Sequence, residues 1–370
     1  MRHTPKILAI YMVLIVIYLI ARSFIPETGT DTAFAGLSYF TVVSFLALSM
    51  GIILSGCELF ANGVECVGAR LNISHATAGS LLAAVGTALP ETMLPIIALL
   101  FGSSAHKEGI AVGAILGAPF MLSTLAMFFL GITTFTLYFF KKREKPLFAP
   151  NIKAFETDLL FFLPTMVTIL IISLVGIRFL NYIGALILII TYVAFFRYAL
   201  GHEAEVGEEY IEDFYFNKYL KCPSNLLTVI LQIFSGLVVI VFGAHIFVEY
   251  VTVFSIKSGL PSLLLSLIIA PLATELPEKF NSITWTIKKK DTLGMANISG
   301  AMVFQATIPV SIGLLFTQWS LSKVEVMNIV FAIFMAFILL MVVKIKNTLP
   351  AWALLIGGVF YTLYIIYVFY

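Results

Sequence analysis

The chain has 370 residues, of which 60% are hydrophobic and 11% charged, with a formal net charge of +2. A mean hydropathy of +1.03 excludes an ordinary soluble domain and leaves room for many bilayer-length apolar runs. No basic stripe with interleaved aromatics points to nucleic acid, and Cys57, Cys66 and Cys222 lack the CxxC spacing of a thiolate metal site or a disulfide framework.

Unbroken apolar runs, rather than segments of about ten residues with alternating polarity, select helices over a membrane barrel. Apolar runs and their breakers predict an all-α polytopic membrane protein with about eleven transmembrane helices. The spans fall at 7 to 24, 33 to 69, 75 to 101, 109 to 140, 158 to 178, 180 to 200, 224 to 257, 262 to 287, 292 to 317, 325 to 343 and 349 to 369. The first, opened by Arg2 and Lys6, has the outline of a signal peptide, but no small-x-small cleavage site follows directly, so it reads as a retained helix. The second and seventh can each exceed thirty residues, which implies tilt or projection into water.

Basic residues test this topology, because short cytoplasmic loops are enriched in Lys and Arg. With the N-terminus cytoplasmic, sixteen of them fall inside, among them Lys141, Lys142, Arg143, Lys145, Lys288, Lys289 and Lys290. Only Arg22, Lys107, Arg178, Lys257 and Lys323 fall outside, and Lys279 lies within a span. The C-terminus is then external, in what we read as the cell membrane.

Two stretches share a Thr-x-Leu-Pro-Glu core: Gly86-Thr87-Ala88-Leu89-Pro90-Glu91 and Ala273-Thr274-Glu275-Leu276-Pro277-Glu278, 187 residues apart from 91 to 278. On the assigned parity the two spans run in opposite directions. The similarity extends upstream, Gly56 to Phe60 against Gly243 to Phe247, and downstream, Gly113 to Ala118 against Ala296 to Ala301. Spans two to six therefore repeat as seven to eleven, inverted. The domain expectation is an extra N-terminal helix with its loop (1–32), a first repeat (33–200), an acidic cytoplasmic linker (201–223) and a second repeat (224–370). Inverted repeats with interrupted helices are a recurring plan of secondary transporters.

Proline lacks an N–H, so Pro90 and Pro277 free the carbonyls of Gly86 and Ala273, four residues back. Each copy adds a threonine hydroxyl and a carboxylate. Hard oxygens suit Ca²⁺ or Na⁺ rather than zinc or copper. An ionised acid at the bilayer centre costs at least ~2.5 kcal/mol, so two such acids need a partner, a proton or a water-filled cavity. For one Glu alone, a protonated core residue is a serious alternative; for a repeated pair in inverted frames it is a poor one.

These motifs resemble the calcium/cation antiporter superfamily, which includes sodium/calcium and cation/proton exchangers and carries Gly-Thr-Ser-Leu-Pro-Glu and Gly-Asn-x-x-Gly-Ser-Asn type motifs in duplicate. The resemblance covers residues from about 33 onward. It implies an exchanger core in which Glu91 and Glu278 are paired cation ligands assisted by Thr87 and Thr274, and in which spans two and seven slide to alternate access. It also implies inorganic cations as partners, Ca²⁺, Na⁺ or H⁺ as the transported species, and no cofactor.

Several positions depart from the family pattern. Ala88 stands where a serine is common, Ala114 where the first repeat has asparagine, and Ala118-Pro119 where it has Ser-Asn. In the second repeat Asn297 is kept, Glu275 replaces the serine and Gln305 lies near a usual asparagine. Lys279, four residues beyond Glu275 on the same helical face, either neutralises that acid, the favoured reading, or stands in for a monovalent ion. The expected site is lopsided, with Glu91, Glu278, Thr87, Thr274, Glu275 and Asn297 as cation ligands, tuned by Lys279, Ala88, Ala114 and Gln305.

Glu58, Glu65 and Glu249 are weaker candidates, interfacial acids if their long helices project into water, and His245, which aligns with Glu58, is either a packing residue, the commoner case, or part of a proton path. The predicted function is a secondary antiporter exchanging Ca²⁺ or a similar divalent cation for Na⁺ or H⁺. The alternatives are a proton-coupled or non-calcium carrier of the same fold, a channel, and an intramembrane enzyme, for which no DDxxD, HExxH or Ser/His pairing is found.

Overall fold

The computed structural model describes residues 37–70, 91–102, 106–201 and 214–369. The predicted first helix and the stretch 71–90 lie outside them. Eight helices among the described residues are long and apolar enough to cross a membrane. In chain order the elements are α1 (Tyr39–Arg70), α2 (Glu91–Phe101), α3 (Lys107–Phe139), α4 (Ile152–Val175) and α5 (Arg178–Gly201), then a short α6 (Tyr215–Leu220). After these come α7 (Leu226–Ser258), α8 (Ser262–Thr274), α9 (Leu276–Ile287), α10 (Asp291–Phe316), α11 (Lys323–Lys346) and α12 (Ala351–Phe369).

Helices dominate because a bilayer offers no water to the backbone, so each segment must satisfy its own N–H and C=O groups. Their ends use local chemistry. Gly176 and Gly259 close α4 and α7 in the left-handed region, at φ 67° and 71°. Asn225 with Thr228, and Ser322 with Glu325, form capping boxes that open α7 and α11. The described long helices follow the predicted spans within a few residues, with α1 starting six residues later than 33 and α4 six residues earlier than 158.

Three features were not expected. One is a minimal sheet in an otherwise helical chain, where Leu147–Phe148 (β1) pairs antiparallel with Leu349–Pro350 (β2). The second is α6, inside what reads as a linker. The third is a π turn at Leu122–Ala126 within α3, just after Pro119. Two-residue strands carry no periodicity, and a six-residue helix held by tertiary contacts has too little intrinsic signal to stand out.

The described residues form two compact units that do not follow the halves of the sequence. One holds the residues up to Ala111 with Ala199–Leu265, the other Val112–Tyr198 with the residues from Ser266 onward. In the first unit α1 and α7, 32 and 33 residues long, are antiparallel along their whole length. Tyr39 donates to the Lys257 carbonyl at one end, Phe45 stacks on Tyr250 at 4.5 Å, and Cys66 packs with Val229 at the other end. Glycine permits this approach: a Cβ on Gly236 would lie 2.7 Å from the Phe60 nitrogen and 2.9 Å from the Gly56 oxygen. A buried polar cluster secures α6 to the pair. Gln232 donates to the Leu59 carbonyl and to Asn62 Oδ1 and accepts from the Phe216 N–H, while the Tyr215 hydroxyl donates to Glu58.

In the second unit the basic turns gather at one end. Arg143 meets Asp291 through both guanidinium nitrogens, at 2.5 and 2.6 Å, and donates to the carbonyls of Thr286 and Leu147. The Asp291 carboxylate also accepts from the Ala149 N–H, and Lys344 approaches Glu156 at 3.7 Å. At the other end Arg178 donates to the carbonyls of Thr317 and Leu315, and Trp319 donates to Ser173. The residues assigned to opposite membrane faces thus sit at opposite ends of this unit.

Candidate functional site

The second Thr-x-Leu-Pro-Glu copy is a broken helix. Its apolar run stops at Thr274, turns at Glu275 (φ −92°, ψ 5°) and resumes as α9 with Pro277 in the first turn. Proline at that place removes a donor the ladder would need, and its fixed φ suits a new helix start. Helical bonds still bracket the break: Glu275 N–H donates to the Pro271 carbonyl, and Lys279 N–H to the Glu275 carbonyl.

Pro271 adds a second interruption. The carbonyl it cannot serve, four residues back, is that of Leu267, and this oxygen faces Gly117 of α3, where a Cβ would overlap it.

Glu275 and Lys279 pair across one helical turn, Oε2 to Nζ at 2.9 Å, with only 1% and 3% of the residues exposed. Nζ also lies 3.4 Å from the Pro271 carbonyl and 3.1 Å from Met121 Sδ on α3. The other carboxylate oxygen, Glu275 Oε1, is buried with no hydrogen-bond partner among the described residues. Thr274, likewise buried, donates to the Ala270 carbonyl at 3.1 Å. Glu278 falls in the first turn of α9, but its side chain lies outside the described set.

Asn297 on α10 donates to Ser282 of α9 at 2.9 Å. Ser282 is one turn beyond position 278 and on the same helical face, so Asn297 leans against the face that carries the motif glutamate. Gln305 is buried, with Oε1 unpartnered among the described residues, and Ala114 is buried in α3. In the first copy, Thr87, Ala88 and Pro90 lie outside the described residues. Glu91, the first described residue of α2, is 5% exposed.

Among the described residues no cluster of three or more His, Cys, Asp and Glu could hold a metal ion. Glu58 accepts from Tyr215, and His245 meets Phe101 edge-on at 5.8 Å beside an apolar cavity of about 410 Å³. The Glu65 side chain lies outside the described set.

Sequence reasoning missed Ser282 and an acid of α4, Asp158, which accepts from the Ser299 hydroxyl on α10. Asp158 sat at the predicted start of a span and reads as a boundary residue. Its partner is 141 positions away, so no local spacing could reveal the pair.

The chain is similar to known proteins over most of its length. The sequence profile of the family described as sodium/calcium exchanger protein matches residues 41–201 and 228–370. An uncharacterized membrane protein of Methanocaldococcus jannaschii, MJ0091, is 21% identical over 285 residues, 76% of this chain and 84% of the relative. Among solved structures, the H⁺/Ca²⁺ exchanger CAX superposes with a TM-score of 0.72 at 16% identity, covering 100% of this chain and 89% of that one. The sodium-calcium exchanger NCX_Mj gives 0.56 at 18% identity, covering 88% and 98%. The fold is that of these membrane exchangers, and with its family profile spanning most of its length the chain belongs to the sodium/calcium exchanger protein family, as a membrane transporter and not an enzyme.

Proposed function

We propose that this protein is a secondary cation antiporter that moves Ca²⁺ or a similar divalent cation against Na⁺ or H⁺ by alternating access, with the carboxylates of Glu91 and Glu278 as its cation ligands. The observation that carries the reading is the helix break at Glu275 directly before Glu278. There the backbone ladder is interrupted within an apolar segment by a motif the sequence holds twice. Irregular backbone at membrane depth is tolerated where it lines a cavity or is buried in protein, and ion sites of secondary transporters use it.

The roles we assign follow from position. Thr87 and Thr274 supply hydroxyls one turn before each glutamate, and Asn297 supplies an amide oxygen from α10 while its nitrogen is held by Ser282. Ala88 and Ala114 withdraw ligands from the first repeat, so selectivity rests on the second, where Glu275, Lys279 and Gln305 differ from the family pattern. The two similar exchangers work with H⁺ and Ca²⁺ or with sodium and calcium, which is why both counter-ions stand in the proposal.

The test is ⁴⁵Ca²⁺ uptake into proteoliposomes under separately imposed Na⁺ and pH gradients. Glu91→Gln and Glu278→Gln should each abolish uptake while eluting as folded, monodisperse protein. Full uptake by both variants would overturn the assignment, and uptake that follows only the Na⁺ gradient removes the proton version.

A further inference from the structure

We infer that Lys279 is a built-in cation: its ammonium permanently occupies a monovalent-cation subsite beside the helix break, so the protein carries one fewer mobile monovalent ion than the site would otherwise bind. This rests on the transport reading above and specifies its ion count.

The surroundings of Nζ support occupancy of a cation subsite over a simple packing pair. The ammonium is buried and touches one carboxylate oxygen, one backbone carbonyl and a thioether. The two oxygens come from Glu275, at the break itself, and from Pro271, one turn before it, where a small hard cation would find its ligands. The thioether of Met121 is a weak acceptor, poorly chosen to satisfy an ammonium proton. A lysine retained for hydrogen bonding alone would be expected to meet a third oxygen there.

The carboxylate gives a second, independent sign. Glu275 Oε1 is buried and unpartnered among the described residues, although its sister oxygen holds Nζ at 2.9 Å. Buried carboxylate oxygens are ordinarily hydrogen-bonded. A pair evolved only to neutralise charge would satisfy both. A carboxylate that uses one oxygen on a tethered cation and keeps the other buried and unpartnered among the described residues is disposed as an ion ligand.

The consequence can be read without measuring calcium transport. Removing the ammonium by Lys279→Ala leaves a buried carboxylate and two vacated oxygen ligands. Na⁺ from solution should then fill the subsite and stabilise the protein by mass action. In detergent, replacing choline chloride by NaCl at equal ionic strength should raise the melting temperature of Lys279→Ala by roughly 5 to 10 °C more than that of wild type, once Na⁺ is about a hundredfold above its dissociation constant. LiCl and KCl arms report the size of the subsite. The double variant Glu275→Gln/Lys279→Met, which has neither charge, should show no such extra response.

If Lys279→Ala can be purified only with a small monovalent cation present, that rescue supports the inference. An equal response of Lys279→Ala and wild type to Na⁺, or failure of Lys279→Ala to fold in every salt while the double variant folds, overturns it and leaves Lys279 as a neutralising partner alone. These readouts concern Na⁺ binding. A failure of Glu91→Gln or Glu278→Gln to abolish calcium flux would refute the transport assignment without altering them.

Discussion

The Asp291 clamp carries the largest stability effect among the interactions at the basic end of the second unit. Asp291→Ala removes two guanidinium bonds, at 2.5 and 2.6 Å, and the bond to the Ala149 N–H at 2.8 Å. The Arg143 side chain is only 9% exposed, so the cation left behind cannot simply turn to water, although the Thr286 and Leu147 carbonyls still serve part of it. Breaking a buried pair from one side costs about 3–5 kcal/mol, mostly as the uncompensated charge. At roughly 2–4 °C per kcal/mol for a unit of this size, the melting temperature should fall by roughly 6 to 20 °C. Lys344→Ala is the control: its partner Glu156 is 3.7 Å away and the pair is 46% and 32% exposed, so screening limits the cost to about 0.5 kcal/mol or less. Fluorescence-detected size-exclusion chromatography after a temperature series gives the ranking even if unfolding is irreversible. Replacing both partners, Arg143→Met with Asp291→Leu, should recover part of the loss, because no buried charge then remains. Equal melting of Asp291→Ala and Lys344→Ala would refute the reasoning.

Gly236→Ala should destabilise by about 1–3 kcal/mol, since its Cβ would meet backbone atoms of Phe60 and Gly56, whereas Gly300→Ala, with nothing within 4 Å, should be neutral or slightly stabilising. Thermal melting of the two in parallel checks this. Gln232→Leu orphans the Phe216 N–H and removes the amide donor shared by the Leu59 carbonyl and Asn62, and should release α6, read as faster tryptic cleavage after Lys218 and Lys221 with a stability loss of about 1–3 kcal/mol. Pro277→Ala restores a donor at the break; the protein should melt at the same or a higher temperature while ⁴⁵Ca²⁺ flux falls, and undiminished flux would show that the interruption is not needed.

How much of this was legible in the sequence depended on range. The break at Glu275 and the Glu275–Lys279 pair are local: a proline acts on a carbonyl four residues back, and residues four apart share a helical face, so both could be read from a few letters. The lengths of α1 and α7 were equally local, being set by uninterrupted apolar runs. Asp158 with Ser299 and Arg143 with Asp291 were not legible, because 141 and 148 residues separate the partners and neither pair leaves a periodic trace. The compact units were not legible either, because each draws on segments far apart in the chain.

Arg143 shows that a residue counted toward topology can have a different role in the fold. In the sequence it counts as one of sixteen basic residues marking the cytoplasmic face. In the fold its charge is matched by Asp291 and largely buried, so it offers little to an anionic membrane surface. Asp291 in turn opens α10, where a carboxylate complements the helix dipole. Lys141 and Lys142, beside it, are exposed. What orients a loop during insertion and what fastens it after folding are therefore separable, and charge counting sees only the first. Replacing Lys141 and Lys142 with Gln should leave the melting temperature within about 0.5 kcal/mol equivalent of wild type, since neither is buried, where Asp291→Ala does not. A large loss from the lysine pair would mean that the exposed charges, and not the clamp, hold this end together.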